Sequence, residues 1–125
     1  GDSRLYLLRG GELRRISRDH SYVEELVARG ELSEAEAQHH PRKNYLLRAV
    51  GVEERLHVDG DTFPVMAGDR FLLATDGLTN MVEDADLCAL LGENPDDAAR
   101  QMVERALDAG GTDNVTAIVI ACDPS

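Results

Sequence analysis

Three aspartates at the ends of apolar segments are the residues of this chain best placed for chemistry. Asp76 follows the apolar run at 71–74 after one threonine, Asp113 comes just before the last apolar run, and Asp2 precedes the first. Side chains at strand ends project from the rim of a sheet, so carboxylates placed there can converge on one hard cation. A single Asp at a strand end is usually a turn or helix-cap residue. Three in one small chain, each with glycine beside or near it, favour a metal site.

Other residue types that catalyse reactions form no recognisable set. The histidines have no spacing that matches a closed zinc site, and Ser3 and Ser21 lack the neighbouring His and Asp of a nucleophilic triad. The glycines at 110–111 are not followed by the Lys-Ser/Thr of a phosphate loop. We therefore expect surface positions for the four histidines, which are His20, His39, His40 and His57.

Composition restricts the classes of protein to consider. The chain has 125 residues, of which 42% are hydrophobic and 30% charged, as in a single globular domain. Its formal net charge of −11 argues against nucleic acid as a partner, because binding to a phosphate backbone needs clustered Lys and Arg. No apolar run approaches a membrane span of about 20 residues. The two unpatterned cysteines, Cys88 and Cys122, indicate thiols in a reducing compartment and predict a cytoplasmic location.

Turn, cap and periodicity signals predict the elements that must hold the aspartates. One glycine pair marks a hairpin turn near the start of the chain, and another marks the end of the last helix. Either Asp19 or Ser21 can cap the first helix, and Ser33 with Glu36 has the spacing of a capping box. The predicted strands are 5–8, 13–16, 45–50, one or two within 55–63, 70–75 and one from about 115. The predicted helices are 23–27, a short one before Pro41, 84–91 and 95–109.

The order of these elements indicates the class of fold. Strands dominate the first part of the chain and paired helices follow, without strict alternation of strand and helix. This order favours an α+β fold with antiparallel sheets over a doubly wound parallel fold. Exposed sheet edges of such a fold would be a liability unless another chain covers them.

The segments at 1–4, 75–78 and 111–116 can be compared with the motifs of known families. In order and spacing they resemble late motifs of the metal-dependent serine/threonine protein phosphatases, the PPM or type 2C family, in its bacterial form. The family's early Arg and Asp motifs and its Asp-Gly-x-Gly-Gly segment are absent. The resemblance therefore implies that residues 1–125 are the C-terminal half of such a domain. It also implies a flap at about 19–48 and part of a four-layer α-β-β-α sandwich with antiparallel sheets.

The same resemblance implies a Mn²⁺ or Mg²⁺ centre that is binuclear in the complete domain. Asp76 and Asp113 would be ligands of its two metals, and Asp2 would contribute to an additional, looser metal. A water that bridges two metals becomes partly hydroxide and can attack phosphorus in line. The metals also stabilise charge on the transferred phosphoryl oxygens.

Three further residues would support this centre. Gly77 follows one ligand, and Asn114 follows the other and would orient its loop by hydrogen bonding. Asn80 stands where many relatives carry a second Asp, and the amide removes one negative charge and should weaken the additional metal. An alternative interpretation is that Asn80 only caps the adjacent helical turn.

Two classes of function remain open. The first is metal-dependent hydrolysis of phosphoserine and phosphothreonine in proteins, as part of a complete phosphatase domain. Phosphoprotein substrates and a serine/threonine kinase would then be its partners. The alternative is a non-catalytic docking or regulatory module, which Asn80 and the missing early motifs favour. In either case we expect the chain alone to be inactive, because the early metal ligands are missing.

Overall fold

The computed structural model describes residues 1–123, which form two compact units. The small unit comprises Gly1–Asp2 and Arg18–Thr62, and the sheet unit comprises Ser3–Ser17 and the chain from Phe63 onward. None of the helices within 1–123 has the length and apolar character that crossing a membrane requires. The elements, in chain order, are β1 (Arg4–Arg9), β2 (Glu12–Arg15), α1 (Tyr22–Ala28), α2 (Glu34–Gln38), β3 (Arg70–Ala74), α3 (Asp76–Thr79), α4 (Asp84–Leu91), α5 (Pro95–Asp108) and β4 (Ala117–Ala121).

The sheet unit is built on a four-stranded antiparallel sheet with the order β2-β1-β3-β4. Gly10 and Gly11 join the first two strands with φ angles of 58° and 77°. Two successive residues in this left-handed region make the turn whose twist suits a hairpin. The predicted hairpin and the α+β class with an antiparallel sheet are therefore confirmed.

One face of the sheet packs against the helices that follow β3. Side chains alternate across a strand, so every second residue points toward this helix layer. In α5 the buried residues Ala98, Met102 and Ala106 recur at a spacing of four, as expected for a helix with one apolar stripe. Both predicted helices of this region are confirmed, and the last strand begins at Ala117, two residues later than expected. The core consists of Tyr6, Leu8, Leu72, Ala74, Leu78, Val82, Leu87, Leu91, Met102 and Ala106.

The small unit contains the two short helices and a long irregular segment. Ser21, not Asp19, caps α1, because its hydroxyl accepts a hydrogen bond from the backbone N–H of Glu24 at 3.3 Å. The predicted capping box of α2 is confirmed, with both reciprocal bonds between Ser33 and Glu36 at 3.1 Å. These hydrogen bonds lower the pKa of Glu36.

The strands predicted at 45–50 and within 55–63 are wrong. Among the described residues this region has one isolated bridge, between Ser21 and Leu46, and otherwise turns and irregular backbone. Its apolar side chains are exposed, to 88% at Val50 and 79% at Val58. An apolar stretch becomes a strand only where a neighbouring strand supplies backbone partners and a face to pack on. Within residues 1–123 this stretch has no such neighbour.

A buried carboxylate anchors the entry to β3. Asp69 is 1% exposed, and both of its oxygens accept from the Arg9 guanidinium of β1, at 2.8 and 2.6 Å. The backbone N–H of Met66 adds a third bond at 2.8 Å. The Arg9 hydrogen bond, opposed by burial, lowers the pKa of Asp69 to about 2 from an ordinary 3.8. This pair therefore ties β1 to the turn before β3.

We predict that this pair contributes to stability at neutral pH and that the contribution is lost in acid. Because the folded pKa lies below the unfolded one, the carboxylate stabilises the fold above about pH 4 and loses this effect as pH falls toward about 2. Asp69→Asn should lower the Tm by several degrees at pH 7 and less at pH 2. Thermal melts followed by circular dichroism at both pH values would measure this difference. The exposed Asp96→Asn is the control, and an equal fall in Tm for Asp69→Asn at both pH values would contradict the assignment.

Candidate metal centre

The ends of two neighbouring strands form the rim where the predicted metal ligands are found. β3 ends at Ala74, directly opposite Ala117 at the start of β4. One residue further, the N–H of Thr75 donates to the carbonyl of Thr116 at 3.1 Å. The hydroxyl of Thr75 accepts from the N–H of Thr116 at 3.0 Å. β3 and β4 therefore stay hydrogen-bonded one residue beyond their ends. The bonded residues are Thr75, which precedes Asp76, and Thr116, which follows Asp113 after two residues.

Gly77 brings the two aspartate segments into direct contact. A Cβ atom on this buried glycine would lie 2.8 Å from the carbonyl carbon of Asn114, closer still to its oxygen, and 3.4 Å from the Cα of Val115. Only a residue without a side chain allows two backbones to approach this closely. Asp76 and Asp113 immediately precede Gly77 and Asn114, so the contact brings both carboxylate-bearing residues to the same rim.

The loop that carries Asp113 is held from two sides. Its first glycines end α5, with Gly110 N–H bonded to the carbonyl of Leu107 at 3.1 Å and Gly111 N–H to that of Ala106 at 3.0 Å. The Thr112 hydroxyl donates to the sulfur of Met81, just beyond α3, at 3.8 Å. The loop is thus attached both to α5 and to the segment that follows Asp76.

The residues at the rim differ in burial and in hydrogen bonding. Asp76 is the first residue of α3 and is half-buried, whereas Asp113 and Asn114 are exposed. The backbone N–H of Asn114 donates to Oδ1 of Asp113 at 2.7 Å, and the orienting role of the Asn114 side chain stays a prediction. Asn80 is exposed at the C-terminal end of α3, where its N–H donates to the carbonyl of Asp76 at 2.9 Å.

Asp2 belongs to the small unit and not to the sheet unit that carries the rim. It is half-buried and already takes part in an interaction. Its contribution to a metal therefore stays a prediction. Of the histidines, His20 bonds to Asp59 at 2.6 Å, and the ring of His40 contacts the ring of Tyr22 with centroids 6.1 Å apart.

The donor set at the rim suits part of a site for a hard cation. Mg²⁺ and Mn²⁺ prefer oxygen ligands, and Mg²⁺ keeps several waters, so a few carboxylates can hold such an ion. Within residues 1–123, however, no group of three or more His, Cys, Asp or Glu side chains is close enough together to hold a metal. Asp76 and Asp113 therefore stay predicted ligands, and a metal site at this rim would need further ligands.

Sequence reasoning did not predict the contacts through which Thr75 and Gly77 position this pair. Thr75 occupies the N-cap position of α3, but its side chain makes no cap bond and accepts instead from the N–H of Thr116 across the rim. Gly77 was expected to support the site, but the reason, its contact with Asn114, depends on a residue 37 positions away. A threonine directly before Asp-Gly at a strand end is the only local signal.

Known proteins resemble this chain over almost its whole length. The family described as "Stage II sporulation protein E (SpoIIE)" matches residues 12–123. "Serine/threonine phosphatase stp" of Listeria innocua is 43% identical over 122 residues, which make up 96% of this chain and 48% of that protein. The PPM Ser-Thr phosphatase MsPP from Mycobacterium smegmatis, crystallised with cacodylate, superposes with a TM-score of 0.89 at 38% identity, over 97% of this chain and 53% of that one.

A metal-bound relative is among the solved structures that superpose. The catalytic domain of serine threonine protein phosphatase PstP, in complex with 2 manganese ions, matches with a TM-score of 0.80 at 38% identity. It covers 95% of this chain, and this chain covers 49% of it. The chain thus spans about half the length of these relatives, in agreement with the expected half-domain. The chain belongs to the SpoIIE/PPM family of serine/threonine phosphatases.

Proposed function

We propose that this chain supplies two ligands, Asp76 and Asp113, to a Mn²⁺- or Mg²⁺-dependent phosphatase domain. That domain would hydrolyse phosphoserine and phosphothreonine in proteins. The observation that carries the proposal is the backbone contact between Gly77 and Asn114, since it puts both aspartates at one rim. The phosphatase names of the relatives and the manganese ions in one of them support the reaction and the metal.

Each rim residue has a part in holding the metals. Bound metals would activate a water as nucleophile and stabilise charge on the phosphoryl oxygens. Asp76 and Asp113 supply the negative charge that retains such cations at the rim. Thr75 and Gly77 fix the spacing of the two segments, because the carboxylates must stay close to share one centre. Preorganised ligands of this kind cost no rearrangement when the metal binds.

The remaining parts of the proposal rest on the family resemblance. Asp2 would contribute to an additional metal, which Asn80 would weaken because it is an amide. Residues 19–48, all within the small unit, would be the flap, and the whole chain would be the C-terminal portion of the domain. Phosphoproteins made by a serine/threonine kinase would be the substrates. Two free thiols, Cys88 and Cys122, support a reducing, cytoplasmic compartment.

A second candidate function is a non-catalytic docking or regulatory module. The observation that favours it is that the described residues gather no group of three metal-binding side chains. The two candidates differ in what they predict for a complete domain. A chimaera in which this chain replaces the matching half of the Listeria innocua phosphatase would separate them.

We predict Mn²⁺-dependent hydrolysis of a phosphopeptide by this chimaera, and none by the isolated chain. Asp76→Asn or Asp113→Asn should reduce the rate of the chimaera by about a hundredfold or more, because metal activation of water is lost. The control is Asp96→Asn in the first turn of α5, about 20 Å along that helix from the rim loop. A folded chimaera without activity would favour the docking module, and robust turnover by the isolated chain would contradict the need for further ligands.

We predict that the isolated chain binds Mn²⁺ weakly and at one site. With only two carboxylates, the dissociation constant should lie in the millimolar range, and either Asp→Asn substitution at the rim should weaken binding at least about tenfold. Titration followed by the electron paramagnetic resonance of free Mn²⁺ measures the bound fraction directly. Binding that is unchanged in both variants would exclude the rim as the site.

We predict that Gly77→Ala disrupts the rim whereas Gly92→Ala does not. The new methyl group at position 77 would overlap the Asn114 backbone, and overpacking of this kind costs about 1–3 kcal/mol or more. At position 92 the nearest atoms are 3.5 Å away and φ is −75°, so alanine fits. Thermal melts and Mn²⁺ titration should show losses for Gly77→Ala alone. Equal behaviour of the two variants would exclude the close contact as a determinant of the site.

We predict fast amide exchange in the proposed flap. In α2 only Ala37 is buried, so opening this helix exposes little apolar surface and costs little free energy. Amides at 33–40 should exchange much faster than those of β3, where Phe71, Leu72 and Ala74 are buried. Hydrogen exchange followed by mass spectrometry tests this. Equal protection of both segments would mean that 33–40 is core scaffold and that the flap assignment is wrong.

A further inference from the structure

Met81 lies just beyond α3, between the hydrophobic core and the loop that carries Asp113. Its backbone N–H donates to the carbonyl of Leu78 at 3.0 Å, and its half-buried side chain packs against the core. On the loop side, its sulfur accepts the hydroxyl of the exposed Thr112 at 3.8 Å, and Thr112 directly precedes Asp113. The side chain of Met81 therefore links the core to a loop that carries a proposed metal ligand.

The three methionines of the chain differ in their exposure to solvent. Met102 is 0% exposed in the core and Met66 is 55% exposed, whereas Met81 is half-buried. A small oxidant dissolved in water can therefore reach the side chains of Met66 and Met81 in the folded chain, but not that of Met102. Of the two accessible methionines, Met81 is the one whose sulfur accepts a hydrogen bond from the rim loop.

Peroxides convert the thioether of methionine to a sulfoxide. A lone pair of the sulfur attacks one oxygen of hydrogen peroxide, the O–O bond breaks, and the other oxygen leaves as water. The sulfur loses two electrons and the peroxide gains them, so that no further reagent is needed. The product side chain is polar, and methionine sulfoxide reductases convert it back.

A sulfoxide at Met81 would not fit the contacts that the thioether makes. A polar S=O group in an apolar contact costs free energy unless it is hydrogen-bonded, so the oxidised side chain should turn toward water. Thr112 then loses the sulfur that its hydroxyl contacts. The loop keeps its backbone bonds to α5 at Gly110 and Gly111, but loses its attachment to the segment that follows Asp76.

We propose that Met81 is an oxidation site whose sulfoxide loosens the loop that carries Asp113 and so weakens metal binding at the rim. This inference rests on the proposed function for the effect on metal, and on the contacts of Met81 alone for the effect on the loop. We expect Mn²⁺ affinity to fall about tenfold, the lower end of the effect of losing a group that orients a metal ligand.

Treatment of the folded chain with hydrogen peroxide, followed by removal of the oxidant, tests the proposal. Peptide mass spectrometry should find sulfoxide at Met66 and Met81 and none at Met102. Hydrogen exchange at 110–115 should then be faster than in the untreated chain, and titration should show the loss of Mn²⁺ affinity. Methionine sulfoxide reductases A and B together should restore both properties.

Two matched variants assign the effect to one sulfur, each compared with its own untreated sample. Met81→Leu nearly conserves volume and removes the oxidisable atom. It keeps Met66 and both cysteines, Cys88 and Cys122, so peroxide should change neither its exchange at 110–115 nor its Mn²⁺ affinity. Met66→Leu should respond to peroxide as the wild type does. Equal responses of the wild type and Met81→Leu would overturn the proposal, because oxidation elsewhere would then be the cause.

The complete domain gives a second test, because the other half of the domain could cover Met81. In the chimaera with the Listeria innocua phosphatase, we expect peroxide to oxidise Met81 as it does in the isolated chain. A chimaera or a chain in which Met81 resists oxidation as fully as Met102 would overturn the proposal. An untreated chain that binds no Mn²⁺ would instead contradict the proposed function, and the exchange at 110–115 would still decide the effect of oxidation on the loop.

Discussion

The backbone contact between Gly77 and Asn114 is the constraint on which the candidate site depends. It joins the start of α3 to the loop before β4 at a distance that no side chain permits. Without it, Asp76 and Asp113 would sit on two segments free to separate by the width of a side chain or more. The contact therefore converts two aspartates far apart in sequence into one potential donor pair.

The sheet supplies the frame in which this contact is possible. β3 and β4 are antiparallel neighbours, so the end of one and the start of the other share a rim. Leu78 of α3 is fully buried with Met102 and Ala106 of α5, which fixes the helical turn that follows Asp76. Burial of such side chains contributes roughly 1.5–3 kcal/mol each, enough to hold a short helix that would not form alone. The core thus determines the geometry of a rim that is itself largely exposed.

Sequence patterns correctly predicted the elements that depend on residues only a few positions apart. The hairpin glycines, the Ser33 capping box and the apolar stripe of α5 each depend on residues within a few positions, and all were predictable. The placement of Asp76 and Asp113 near strand ends was also predictable from the sequence, whereas their role as metal ligands stays a prediction. The strands at 45–50 and within 55–63 failed for the opposite reason. Their apolar residues resemble those of strands, but a strand needs a partner that no local pattern supplies.

Hydrogen bonds between residues far apart in the sequence could not be predicted from the sequence alone. Asp69 reads as a turn residue, yet it is buried and bonded to Arg9, 60 positions earlier. Thr75 lies at the N-cap position of α3, yet its hydroxyl accepts from the N–H of Thr116, 41 positions later. In both cases the residue type permits several partners, and only the packed sheet selects one. The positioning of a site is for this reason harder to predict than its ligands.

Paramagnetic broadening by Mn²⁺ tests most directly whether Asp76 and Asp113 act as one donor pair. In a ¹⁵N-labelled chain, substoichiometric Mn²⁺ should broaden the amide signals at 75–77 and at 112–115 together. Signals from the first turn of α5, at 96–98, should stay sharp, because that turn lies at the far end of the helix. Broadening at only one of the two segments, or equally across the chain, would contradict a shared site at the rim.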